Sequence, residues 1–132
     1  KFAQYYENIN NTEIEVPLSK SAPWCTEQVF HIFPVLVGDN DKDRKELMDY
    51  MQEQGSQVGI HYPICIEETG AYSDLGTKNF NPRTRQNAER LVSLPIHPFM
   101  STEDCLKVVS ILNNWKSEKK QQEELAHRAE RV

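Results

Sequence analysis

The chain alternates between apolar runs and polar, turn-forming stretches, and one strongly apolar stretch occupies residues 29–37. This stretch is rich in β-branched and aromatic residues and therefore predicts a strand covered on both faces. Pro34 interrupts it, so we expect this residue at a sheet edge or a bend, because it has no amide proton for the ladder. His31 shares a strand face with Phe33 and Val35, which predicts a hydrogen-bonded histidine of the core or of a cleft wall. A metal ligand is the less favoured alternative.

Two shorter stretches show the two-residue period of half-buried strands. Apolar side chains alternate with polar or small ones over residues 57–62, which predicts a strand that ends at Pro63. Val92, Leu94 and Ile96 predict a third strand in the same way. A helix joins the first two strands, so they form a βαβ-like unit whose strands are either parallel or rearranged in a mixed sheet.

Periodic apolar residues predict helices between and after these strands. A variant capping box of Asp43 and Glu46 begins one helix, and Gly55 ends it. The last convincing amphipathic helix begins at Ser101. Its apolar stripe should cover the sheet and contains Leu106, Val109, Leu112 and Trp115. Residues 116–132 are almost wholly polar and predict either a solvent-exposed helical extension or a frayed end.

These elements predict an α/β (α+β) fold with a small three- to four-stranded sheet, mixed or antiparallel, covered by helices. The length of 132 residues fits one domain that is large enough for a real core. We place this domain at residues 1–115 and treat residues 116–132 as an extension.

Composition narrows the functional class. The chain has 27% charged residues and a net charge of -5, which argues against a nucleic-acid or anionic-membrane surface. No apolar run approaches the length of a membrane span or resembles a signal peptide. The three cysteines, Cys25, Cys65 and Cys105, show no CxxC spacing and predict a reducing, cytoplasmic compartment. We expect Cys65 and Cys105 to be small buried hydrophobes.

Residues 59–72 gather polar chemistry at the end of a predicted strand. The polar groups are an imidazole, two phenols and two carboxylates, from His61, Tyr62, Tyr72, Glu67 and Glu68. Binding groups are often presented on such loops, although a structural turn with scattered polar residues is an open alternative. His61 and Cys65 lack a second pair to complete a zinc site, and the sequence has no nucleophile motif or glycine-rich phosphate loop. We therefore predict no metal ligands and no catalytic residues.

The order of several motifs resembles a known family. The chain carries Val-Phe-His-Ile-Phe-Pro-Val-Leu-Val (29–37), Gly-Ile-His-Tyr-Pro-Ile (59–64), Ala-Tyr-Ser-Asp-Leu-Gly (71–76) and Leu-Pro-Ile-His-Pro (94–98). To about residue 115 it resembles the sugar aminotransferases of the DegT/DnrJ/StrS type. These are pyridoxal-phosphate enzymes of fold type I that act on nucleotide-linked keto sugars. The resemblance covers only their C-terminal small domain.

The resemblance implies roles for individual residues. His61 and Tyr62 match positions that help hold the hexose of the substrate, and we include Tyr72 and His31 as further candidates for substrate binding. Where relatives often carry Pro-Leu-His, this chain has Cys, Ile and Glu at residues 65–67. This departure implies a different sugar preference or a relaxed role.

The resemblance also implies what the chain lacks. In the family the Schiff-base lysine and most phosphate contacts belong to a large domain that would precede residue 1. We therefore expect pyridoxal phosphate in the parent enzyme, no cofactor on the isolated chain and no transamination by it. The complete protein would use a nucleotide sugar and an amino donor such as glutamate, and it would form a homodimer. We expect neither a nucleic acid nor a membrane as a partner. The alternatives are a non-catalytic sugar-nucleotide-binding or protein-interaction domain of this fold, or part of a related sugar dehydratase.

Overall fold

The computed structural model describes residues 2–17, 24, 28–75 and 81–131. Its strands are β1 (Ile14–Glu15), β2 (Phe33–Val37) and β3 (Leu91–Leu94). Its α-helices are α1 (Asp41–Glu53), α2 (Pro82–Arg90), α3 (Thr102–Asn114) and α4 (Glu118–Glu130). Short 3-10 helices cover Phe2–Asn8, Ile66–Glu68 and Ser73–Leu75. None of the helices among these residues combines the length and the apolar character that a membrane span requires.

The three strands form one antiparallel sheet in the order β1-β2-β3, which confirms the predicted fold class. Paired residues share a face, so the register defines two sides of the sheet. The core face carries Phe33, Val35, Val92 and Leu94. The opposite face carries Pro34, Leu36, Leu91 and Ser93.

Helices α1 and α3 and the N-terminal 3-10 helix supply the side chains that pack on the core face. Leu47 and Met51 come from α1, and Leu112 comes from α3; all three are fully buried. Tyr6 packs its ring 4.9 Å from that of Phe33 and donates a hydrogen bond to the carbonyl of Pro95. These contacts join the N-terminal 3-10 helix and α3, which are far apart in the sequence, in one apolar core.

Pro34 lies in the central strand β2 and not in an edge strand, but β2 has no paired partner beside this residue on the β1 side. Pro34 lies opposite Ser93, whose backbone N–H and C=O both bond to Gly59 on the far side of β3. Pro34 and Ser93 therefore exchange no ladder hydrogen bonds. On its other side, β2 pairs with β1 only as far as Leu36. The missing amide proton consequently costs no hydrogen bond.

The strand predicted at residues 29–37 corresponds to β2 and is shorter than predicted. It begins at Phe33, because its partner β3 ends at Leu94 and Pro95 follows. Val29 is exposed, and His31 is exposed at a bend before the strand. His31 is therefore not a core histidine, and the alternative of a cleft-wall histidine stays a prediction.

The strand predicted at residues 57–62 is reduced to one bridge, between Gly59 and Ser93. The bridge is antiparallel to β3, which is itself antiparallel to β2. The segment therefore runs in the same direction as β2, as in the parallel form of the predicted βαβ-like unit. The alternation in the sequence was misleading because the chain leaves the sheet immediately after this bridge.

The helix boundaries show which sequence signals were reliable. The capping box of Ser101 and Asp104 is present at the start of α3, as predicted. The N-cap of α1 is Asn40 rather than Asp43, whose amide donates to the Asn40 side chain. Gly55 follows α1 with a φ of 82°, a conformation that glycine adopts without strain. Residues 118–130 form the exposed helical extension that was one of two alternatives for the C-terminal segment.

Candidate functional site

The candidate site lies at the edge of the opposite face, beyond β3. Gly59 exchanges two backbone hydrogen bonds with Ser93, of 3.2 and 2.8 Å, and the chain then turns away from the sheet. At this turn the Nδ1 atom of His61 lies 2.9 Å from the hydroxyl oxygen of Ser93. The His61 side chain is otherwise exposed. A polar ring is thus held against the sheet on one side and open to solvent on the other.

Tyr62 stands next to this imidazole. The two ring centroids are 5.5 Å apart and the rings meet edge to face, at 85°. The peptide bond between the two residues is cis. Tyr62 is 73% exposed, so its phenol and one ring face are available to a ligand. His61 and Tyr62 therefore form a pair of accessible rings beside the edge of the sheet.

Tyr72 and His31 are not linked to this pair. Tyr72 is half exposed at the turn before Ser73–Leu75, and His31 is exposed before β2. Among the described residues, no hydrogen bond or ring contact joins either side chain to His61 or Tyr62. Their predicted roles in substrate binding remain predictions.

Glu68 anchors the loop that follows. Its carboxylate accepts a hydrogen bond from the backbone N–H of Cys65 at 3.3 Å and lies 3.2 Å from the guanidinium of Arg85 on α2. Cys65 is buried, and burial raises the pKa of its thiol, with Glu68 and Glu67 raising this pKa further. The thiol is therefore protonated at neutral pH, which confirms Cys65 as a small buried hydrophobe.

The same loop exposes an unusual amount of apolar surface. The loop patch consists of Tyr62, Ile64, Ile66, Tyr72 and Leu75, which are between 49 and 73% exposed. Single exposed hydrophobic residues need no explanation. Five large ones within 14 residues are typical of a surface that contacts a ligand or another protein surface.

A separate concavity of about 380 Å³ lies between β1 and the starts of α1 and α4. It contains more charged side chains than the loop, but these already have partners within the protein. Arg90 donates to the carbonyl of Gly38 and lies 3.8 Å from the carboxylate of Glu15, and Lys119 lies 3.5 Å from Asp39. In the described part of the chain, no group of three or more His, Cys, Asp or Glu residues could hold a metal ion. We therefore place the candidate site at His61 and Tyr62.

Ser93 and Gly59 were missed in the sequence. Ser93 stands between two apolar residues of a strand, and it is 6% exposed. A polar residue at such a position requires a hydrogen-bond partner, and this requirement was the available signal. For Gly59, the only signal in the sequence was the absence of a side chain.

Comparison with known proteins gives a consistent result. Residues 1–113 match the DegT/DnrJ/EryC1/StrS aminotransferase family. A dTDP-3-amino-3,6-dideoxy-alpha-D-galactopyranose transaminase from Aneurinibacillus thermoaerophilus is 36% identical over 113 residues, which make up 86% of this chain and 29% of that protein.

Solved structures share the fold. One is DesV of S. venezuelae, solved in complex with a ketimine intermediate, which matches with a TM-score of 0.73 and 27% sequence identity. The match covers 86% of this chain and 29% of the DesV chain. NtdA from Bacillus subtilis, solved with bound cofactor PMP, has a TM-score of 0.64 over 84% of this chain and 26% of its own. At 23% identity, NtdA shows the fold alone.

The chain spans less than a third of the length of these relatives. The family match includes all of α3 except its last residue and ends before α4. Over its matched residues, this chain belongs to the DegT/DnrJ/EryC1/StrS aminotransferase family.

Proposed function

We propose that this chain is the small, C-terminal domain of a pyridoxal-phosphate-dependent aminotransferase that converts a nucleotide-linked keto sugar to an amino sugar. In this proposal the chain supplies one wall of the sugar-binding cleft, through His61 and Tyr62. The amino donor is an amino acid such as glutamate, and the complete protein is a cytoplasmic homodimer. The amino-sugar transaminase among its relatives supports this substrate class.

The observation that carries the proposal is the exposed edge-to-face pair of His61 and Tyr62. A hexose presents hydroxyl groups around its rim and C–H groups on its faces. An imidazole and a phenol can hydrogen-bond the hydroxyls, while a flat aromatic ring packs against the C–H groups. The pair is therefore suited to orient a sugar.

The loop patch supports the view that this wall faces another part of a larger protein. Its other four exposed apolar side chains follow Tyr62 in the sequence, and clusters of exposed apolar residues often mark interfaces or ligand grooves. The limited coverage of the relatives leaves more than two thirds of their length to supply the opposite wall.

The described residues do not fit covalent binding of pyridoxal phosphate. That chemistry needs a lysine held against the cofactor aldehyde in a site shielded from water. The described lysines lie on α1, α3 and α4 or just before α4, and they are exposed or partly exposed at the surface. Lys42, Lys45 and Lys116 form ion pairs there. We therefore assign no step of the reaction through the cofactor to these residues.

The isolated chain tests this assignment. We expect that pyridoxal phosphate produces no stoichiometric absorbance change and no covalent adduct after borohydride reduction, as measured by mass spectrometry. The catalytically competent relatives are the positive control. A single specific adduct on one lysine of this chain would contradict the assignment.

The coding sequence upstream of residue 1 tests the larger proposal. We expect a continuous reading frame that encodes a large domain with a lysine-bearing cofactor motif. A start codon immediately before residue 1 would overturn the proposal and favour a non-catalytic binding domain.

Variants of the full-length protein test the site. In an assay of amine transfer from dTDP-3-amino-3,6-dideoxy-α-D-galactopyranose to 2-oxoglutarate, we expect His61→Ala to reduce kcat/KM roughly 3- to 10-fold, the value of one hydrogen bond. Tyr62→Phe should have a similar effect, and cofactor absorbance should not change. His127→Ala is the matched control, because His127 is exposed on α4. Normal turnover by both site variants would refute the assignment.

A further inference from the structure

Ser93 is a buried hydroxyl whose described hydrogen-bond partner is the imidazole of His61. It lies on β3 between Val92 and Leu94, whose side chains enter the core, so its own side chain is on the opposite face. Its backbone groups bond to Gly59, and its hydroxyl oxygen lies 2.9 Å from Nδ1 of His61. The sheet therefore holds both ends of the segment from Gly59 to His61.

Gly59 provides the space in which the imidazole lies. A Cβ atom at position 59 would lie 3.2 Å from Cε1 and 3.8 Å from Nδ1 of His61. The first distance is shorter than an ordinary contact between carbon atoms. Alanine at position 59 would therefore require the ring to move by a few tenths of an ångström from its place beside Ser93.

The direction of the hydrogen bond follows from the needs of the hydroxyl group. A serine hydroxyl has one proton to donate, and a neutral imidazole has one nitrogen that accepts. Among the described residues, only His61 hydrogen-bonds the Ser93 hydroxyl. If the hydroxyl accepted from Nδ1–H, its own buried proton would have no described acceptor. Donation from Ser93 to Nδ1 satisfies both groups and leaves the imidazole proton on Nε2.

We propose that Ser93 and Gly59 are positioning residues that fix the orientation and tautomer of His61, so that its Nε2–H is directed to a sugar oxygen. The link to the sugar rests on the proposed function, whereas the fixed imidazole does not. Ser93 and Gly59 do not contact the substrate in this arrangement. They determine which nitrogen of His61 accepts and which donates.

Nitrogen NMR of the neutral histidines in the 132-residue chain tests the arrangement without any activity assay. We expect His61 to show a single Nε2–H tautomer, and the exposed His127 to show the averaged signals of a free imidazole. Ser93→Ala should make His61 resemble His127, whereas Ser93→Thr should retain the single tautomer because it keeps the hydroxyl. Ser110→Ala, which removes an exposed hydroxyl from α3, should have no effect.

Gly59→Ala is the second variant, because it keeps the Ser93 hydroxyl and displaces the ring. We expect it to weaken the short proton-proton contacts between His61 and Ser93, while amide spectra show that the fold is retained. An Nδ1–H tautomer in the native chain would overturn the proposal. Unchanged His61 signals in both Ser93→Ala and Gly59→Ala would also overturn it.

Activity of the full-length protein separates this proposal from the proposed function. With the dTDP amino sugar as probe, Ser93→Ala should raise KM about 3- to 10-fold and Ser93→Thr should restore it. A fixed tautomer together with normal turnover by His61→Ala would refute sugar binding and leave the positioning intact. Impaired His61→Ala together with a normal Ser93→Ala and unchanged NMR signals would refute the positioning alone.

Discussion

Helices α3 and α4 are each 13 residues long, and each begins at a serine whose side chain accepts a backbone hydrogen bond. Their packing is very different. Helix α3 buries five side chains: Cys105, Val108, Val109, Ile111 and Leu112. Helix α4 buries none, and its one large apolar residue, Leu125, is 64% exposed. The same capping chemistry therefore begins a core helix and a peripheral one.

Polar contacts hold α4 in place. Glu13 accepts hydrogen bonds from the backbone N–H and the hydroxyl of Ser117, which is buried. Lys120 donates to the hydroxyl of Thr12 at 2.7 Å. Such contacts replace hydrogen bonds that the same groups make with water in the unfolded chain. They therefore contribute less to the free energy of unfolding than burial of an apolar stripe. Capping determines where a helix begins, whereas apolar burial determines whether the fold depends on it.

The largest expected effect comes from removing apolar volume from α3. Leu112→Ala should lower the free energy of unfolding by about 2–5 kcal/mol, because Leu112 is fully buried among the core side chains. Leu125→Ala on α4 should change it by less than about 0.5 kcal/mol. Urea unfolding followed by circular dichroism measures both. Equal losses in the two variants would remove the distinction between the helices.

The sequence predicted α3 well and the region of the site less well, for a physical reason. The α3 signal repeats over several turns and is reinforced by the Ser101 capping box, so local and tertiary preferences agree. Even there, Leu106 of the predicted stripe is 46% exposed. Trp115 and Val109 are buried as expected.

Residues 57–62 carry only three alternations, and their pairing depends on where a distant strand ends. One bridge forms, at Gly59. The chain then leaves the sheet, and the side chain of His61 contacts the hydroxyl of Ser93. The rings of the site were predicted as candidates from their residue types together with the resemblance of their motif to the family. Their support by Ser93 could not be predicted, because a contact across 32 positions depends on the register of the sheet.

A smaller effect is expected from detaching α4. Glu13→Ala removes the acceptor of both Ser117 hydrogen bonds and should lower the local stability of α4 by about 1.5–3 kcal/mol. Amide hydrogen exchange should rise in α4 and remain unchanged in α3. Glu123→Ala, which removes an exposed carboxylate from α4, is the matched control. Faster exchange in both helices would show that α4 is part of the cooperative core.

The smallest effect is expected from acid. Hydrogen bonds from Ser101 hold the pKa of Asp104 on α3 below its usual value, and a hydrogen bond from Lys116 lowers the pKa of Glu124 on α4. A folded pKa below the unfolded pKa means that each carboxylate stabilises its helix above the unfolded value. This stabilisation is lost as the pH falls below the unfolded pKa, about 4, and through the lower folded pKa.

The two helices should respond to acid in different ways. Because burial holds α3 in place, protonation of Asp104 should lower only the global stability, whereas protonation of Glu124 should allow α4 to fray while the core remains folded. Amide exchange measured from about pH 6 down to pH 3 would show α4 losing protection first. Asp104→Asn and Glu124→Gln remove the respective titrations and should flatten the corresponding responses. Simultaneous loss of protection in α3 and α4 of the native chain would mean that polar docking binds α4 as firmly as apolar burial binds α3.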